Sequence, residues 1–167
     1  MLPSRPGDER RAIELLGRVR YGRLATSMRA LPFLAVARHL VVDGHVVLRM
    51  HRGLGHHESC DGSVIAYGAD NLDSRDPSRP GGTGDARDGA GDARVGTGDT
   101  RVGTGEAREL WSVQCTGPAE IVRPGPEQRA LFGTGPAAVD GEPFDPVYLR
   151  LDPHVIRMHT LSYDASP

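Results

Sequence analysis

Chemistry-bearing residues concentrate in one short stretch, Arg49-Met50-His51-Arg52-Gly53-Leu54-Gly55-His56-His57, which directly follows an apolar run. Two glycines let backbone N–H groups approach an anion. The guanidiniums of Arg49 and Arg52 add delocalised positive charge with forked donors that match phosphate oxygens. This combination suits a phosphate-bearing ligand held at the end of a strand. The same stretch invites a metal, because His51, His56, His57, Glu58 and Cys60 lie close together. Spacing argues against it: His57-Glu58 lacks the second histidine of a helical HExxH site, and Cys60 has no paired cysteine, so no metal is expected. Nucleophilic catalysis is not indicated either. There is no G-x-S-x-G elbow, and Ser27, Ser63 and Ser112 fall in or beside strand-like segments without a marked base, so no catalytic residue is named. Trp111, the sole tryptophan, is of the type that anchors a core or an interface.

These residues need strands to hold them, and the pattern supplies strands. An N-terminal helix runs from about Asp8 to Gly17, with Asp8 and Glu9 in its first turn and Ala12, Ile13 and Leu16 on one face. Then come strand-like segments over 21–27, 32–42, 45–51, 63–69 and 110–122, with closing strands over 147–151 and 155–160. Asp43-Gly44 marks a hairpin between the second and third. A short helix over 126–132 carries Pro126 near its first position.

The chain has 167 residues, 38% hydrophobic, with a formal net charge of −2, and all 20 of its basic residues are arginine. A long basic face for nucleic acid is not expected. No apolar signal-peptide core or membrane-spanning run is present, so a cytoplasmic protein is expected, with Cys60 and Cys115 as separate small thiols. The low apolar fraction has a local source. Four copies of Gly-x-Gly-acid-x-Arg-x follow one another from 82 to 109, and residues 73–108 bury too little apolar surface to offset their ordering entropy, so they read as a disordered insertion. Two glycines per repeat oppose a coiled coil, and neither a calcium β-roll nor a dinucleotide fingerprint fits the spacing.

Taken in order, several pieces resemble the pyridoxamine 5′-phosphate oxidase-like family of flavin-binding split barrels. They are Glu14-Leu15-Leu16, Gly22-Arg23-Leu24-Ala25-Thr26, Ala30-Leu31-Pro32, Val46-Val47-Leu48-Arg49, the turn at Gly53, Val64-Ile65-Ala66-Tyr67 ending at Asp70, Trp111-Ser112-Val113 with Gly117 and Ala119-Glu120, and Leu151-Asp152-Pro153. The resemblance implies a mainly β fold, a six-stranded antiparallel split β-barrel with small helices, forming one domain over 1–167 with 73–108 inserted. It further implies a homodimer with flavin mononucleotide (FMN) in a groove shared by two subunits, while the charge balance and the lack of a long apolar run leave no nucleic-acid or membrane partner expected. By position, Arg49, Met50, His51, Arg52, Gly53, Leu54, Gly55 and His56 would surround the phosphate, and Trp111 or Ser112 would meet the ring. The family's phosphate-gripping lysine is absent: Gly55 or His56 stands there, beside Leu54 in place of a serine or threonine. Arg38-His39 replaces a frequent Asn-Tyr, and Met158 replaces a common glycine. The implied activity is an oxidoreductase acting on a small molecule through its flavin. The alternative is a degenerate, non-enzymatic barrel that binds a ligand or partner. A further variant swaps FMN for a deazaflavin coenzyme, or for haem on His51 or His159.

Overall fold

The structure, a computed structural model, describes residues 6–72 and 109–161, so the expectations for 73–108 lie outside the described residues. Helix α1 (Pro6–Leu16) carries Asp8 and Glu9 in its first turn, at the positive end of the helix dipole. Its Ala12, Leu15 and Leu16 are buried in the main core, where the 3.6-residue period brings them to one face. Strands β1 (Tyr21–Met28), β2 (Leu31–Val42) and β3 (His45–His51) form a meander, and Asp43-Gly44, both at positive φ, make the tight turn expected of that pair. Helix α2 (His56–Cys60) leads into β4 (Ser63–Asp70), and the chain resumes in β5 (Leu110–Val122) and α3 (Pro126–Phe132). A small hairpin, β6 (Ala138–Val139) and β7 (Glu142–Pro143), precedes β8 (Pro146–Leu151) and β9 (Val155–Leu161).

Hydrogen bonding runs β4-β1-β2-β3-β8-β5, and β5 pairs back to β4, closing a six-stranded antiparallel barrel. The expected architecture is therefore present. Strand β5 serves two further partners: Ala119 to Val122 pair with β8, and Leu110 to Thr116 pair with β9. The handover falls at Gly117-Pro118, where Asp152 N donates to Pro118 O and His154 N donates to Thr116 O. A side chain on Gly117 would overlap the Asp152 carbonyl, so the close backbone crossing requires glycine there.

Period-two alternation fills the interior with Leu24, Ala35, Ala37, Leu48, Met50, Ile65, Tyr67, Trp111, Val113, Cys115, Leu149 and Leu151. Both cysteines are buried free thiols, and desolvation pushes each up to about 11, which keeps them protonated and inert. Strand β3 departs from alternation, since Val46 through His51 are all buried. Its outward residues Arg49 and His51 are covered by the chain between α3 and β8.

One polar group is sunk in this core. His39 Nδ1 lies 2.7 Å from the Tyr67 hydroxyl and Nε2 lies 2.8 Å from Leu16 O, fastening the end of α1 to the barrel wall. Because a carbonyl only accepts, Nε2 carries the proton and donates to Leu16 O, while the single proton of the Tyr67 hydroxyl lies between two acceptors, His39 Nδ1 and Ala37 O at 3.1 Å. Burial, reinforced by neighbouring Arg38, holds the His39 pKa below its ordinary 6.5. The folded protein thus binds fewer protons at this site than the unfolded chain, and stability present above pH 6.5 is lost as pH falls below it. Urea midpoints measured as pH is lowered should therefore decline less steeply in His39→Gln than in the parent. Equal slopes would remove His39 as a contributor.

Asn71 makes a second polar clasp, at the exit of β4. Its side chain accepts from Trp111 N at 2.8 Å and donates to Glu109 O at 3.1 Å, while its own N–H donates to Trp111 O. Helix α2 shows no apolar period over its five residues, and β6 and β7 are two-residue strands, too short to leave a pattern in the sequence.

Candidate functional site

Strand β3 ends in a single 3-10 turn over Arg52–Leu54, and Gly55 at φ 70° hands the chain to α2. Arg52, Gly53, Leu54 and Gly55 are exposed, as an anion-receiving turn requires. Gly53 lies so close to the His51 ring that a side chain there would overlap Nε2. His56 stacks on Phe33 with centroids 4.1 Å apart, and the Cys60 thiol donates to its carbonyl. His57 is buried and Glu58 exposed, so the residues that suggested a metal disperse into different surroundings.

The arginines and His51 of this region are already engaged, whereas Nδ1 of His56 and of His57 is buried without a hydrogen-bond partner among the described residues. Arg49, only 6% exposed, donates through Nη1 to Gly133 O at 2.7 Å and through Nη2 to Thr134 O at 3.4 Å. Its guanidinium carbon sits 5.3 Å from the Phe132 ring centre and 5.8 Å from that of Phe144, within cation–π range. Arg38, opposite Arg49 across β2 and β3, donates to Leu131 O at 3.4 Å. Both cations thus meet the carbonyl end of α3, where the helix dipole is negative. His51 Nδ1 accepts from Asp145 N at 3.2 Å, which fixes its proton on Nε2, 4.0 Å from the Glu142 carboxylate. Arg52 donates its backbone N–H to Asp145 O at 2.8 Å, and its Nε lies 3.1 Å from Asp145 Oδ2. Sequence reasoning missed Phe144, Glu142 and Asp145, since nothing in their spacing links them to a turn some ninety residues earlier.

The two remaining groups separate. Met50 points into the barrel and the Trp111 ring is 5% exposed in the core, so neither presents itself to a ligand in this arrangement. Ser112 is half-buried on the opposite side of β5, facing Asp70 on one neighbour and His159 on the other. On the outer side of β2, β1 and β4, Leu34, Val36 and Val64 remain 65–69% exposed, around Ala25 and Ala66. A shallow cleft of about 160 Å³ opens there between Tyr21, Gly22, Arg23, Val36, Ala69 and Asp70, with Arg23 and Asp70 3.7 Å apart.

No protein-family model matches the chain. An uncharacterized protein of Mycobacterium tuberculosis is 40% identical over 73 residues, which is 41% of this chain and 48% of that protein, so the match spans about half the relative's length. Solved structures share the architecture over most of the chain. The FAD binding protein from Mycobacterium smegmatis superposes with a TM-score of 0.56 at 15% identity, covering 92% of this chain and 96% of its own. A putative pyridoxamine 5′-phosphate oxidase from Corynebacterium glutamicum gives 0.55 at 18%, covering 93% and 95%, and one from Listeria innocua gives 0.53 at 12%, covering 90% and 96%. At such identities the likeness is one of fold: this chain is built on the same split barrel.

Proposed function

We propose that this split barrel binds a phosphate-bearing flavin, FMN, and uses it to oxidise or reduce a small molecule. The observation that carries the reading is the exposed Arg52–Gly55 turn at the end of β3, on a barrel whose fold matches that of a FAD binding protein across nearly the whole chain. The fit is selective. Arg52 and the exposed backbone of Gly53 to Gly55 are free to hold a phosphate once Asp145 yields, whereas Arg49 is committed to the carbonyls of Gly133 and Thr134, just past α3, and Trp111 to the core. Of the expected pair, half-buried Ser112 is the residue that would meet a ring. A bound flavin supplies hydride transfer, and the chain's part is to seat it and exclude water. The apolar outer face of β2, β1 and β4 is the surface on which a second copy would dock, giving the homodimer expected of such a barrel and walling the cofactor groove. Exposed apolar residues grouped in this way are characteristic of interaction surfaces.

The purified protein should be yellow, and FMN at a hundred times its dissociation constant should stabilise it by about 2.7 kcal/mol, with riboflavin, which lacks the phosphate, doing less. A colourless protein whose melting temperature ignores FMN and FAD alike would overturn the proposal. That outcome would favour the second reading, a barrel without turnover, for which the committed Arg49 and the absent lysine both speak. The same visible spectrum would expose a deazaflavin or a haem.

A further inference from the structure

We infer that residues 131–145 form a strap seated on the β3 turn, with a fixed anchor at Arg49 and a releasable catch at Asp145, whose carboxylate occupies Arg52 in the place of a ligand's phosphate. The inference rests on the flavin reading only for its choice of FMN as one probe. Every polar side chain of β3's last three residues and the turn that follows touches this one segment: Arg49 at Gly133 and Thr134, His51 at Asp145, and Arg52 at Asp145. The two ends of the strap differ in kind. Arg49 is buried between Phe132 and Phe144, and Arg38 joins it at Leu131 O. Among the described residues no carboxylate forms an ion pair with either arginine, so backbone carbonyls are their partners. Withdrawing the carbonyls would strand a desolvated guanidinium, which makes this anchor permanent.

The Arg52–Asp145 pair is half exposed on both sides, at 50% and 61%, and pairs of this kind exchange readily with competing anions. Two backbone contacts, Arg52 N to Asp145 O and Asp145 N to His51 Nδ1, hold the strap whether or not the carboxylate is charged. Asp145 therefore acts as an internal competitor rather than as a structural support.

The test uses the full chain with three variants and two probes, FMN and inorganic phosphate, the latter followed through the amide resonances of Gly53 and Gly55. Asp145→Asn should tighten binding of either probe about two- to fivefold, the range of an exposed ion pair. Arg52→Ala should weaken it about ten- to a hundredfold, the range of a charge-assisted bond. Arg49→Ala should leave binding weakened far less than Arg52→Ala does, while amide exchange across 131–137 and at Phe144, whose N–H donates to Ala137 O, rises about tenfold or more. Arg49→Lys, which keeps the charge without the fork, should show a smaller rise and decides the point if the alanine variant does not fold. Unchanged binding in Asp145→Asn, or loss of FMN in an Arg49 variant whose strap exchanges as in the parent, would overturn the inference. Phosphate perturbing Gly53 and Gly55 while FMN does not bind would sink the flavin reading and leave the strap standing.

Discussion

Gly117→Ala is expected to destabilise the fold by about 3 kcal/mol or more, at the upper end of overpacking costs, and to yield largely insoluble protein. A methyl group there would overlap the Asp152 carbonyl oxygen, with the carbonyl carbon at 2.9 Å and His154 N at 3.0 Å. All three obstacles are backbone, so no rotamer change relieves them. Moving them would break the Asp152 N to Pro118 O and His154 N to Thr116 O bonds, by which β8 and β9 share one edge of β5. Urea denaturation of whatever soluble fraction forms is the measurement. A midpoint within experimental error of the parent would mean that the crossing is looser than it stands here.

Leu16→Ala should cost about 2–5 kcal/mol, the range for truncating a fully buried leucine. Leu16 is 0% exposed, and its carbonyl accepts the His39 bond, so α1 is joined to the core by packing and by polarity at one residue. Exposed Leu131, on the outer side of α3, is the natural control, and Leu131→Ala should change the midpoint little. If the two substitutions cost the same, α1 is not part of the cooperative unit.

The barrel was readable from the sequence because its evidence is local and repeated. Alternation in 63–69, the Asp43-Gly44 turn and Pro126 at the head of α3 each reflect forces acting within a few residues. The destination of Arg49 was not readable. Its charge and its place after Leu48 suggest a phosphate ligand, but its partners lie 84 and 85 residues away and are backbone carbonyls, to which any sequence contributes equally. Trp111 keeps the core-anchor role its type suggests: it alternates inward with Val113 and Cys115, as strand parity dictates. Arg52 stays exposed in a short 3-10 turn that runs from His51 to Gly55 and has no buried residue.

The clasp at Asn71 bears on how this gene can vary. Asn71 is bonded to Glu109 and Trp111, and Arg11 pairs with Glu109, so the chain leaves and re-enters the barrel at adjacent points whatever lies between. With the two ends already joined at the barrel, the number of residues between them bears only weakly on the barrel's own stability. Copies of a seven-residue unit can then be gained or lost in whole steps without the barrel registering the change. Natural variants of this protein should accordingly differ in repeat number more readily than in any strand, which a comparison of natural sequences would check.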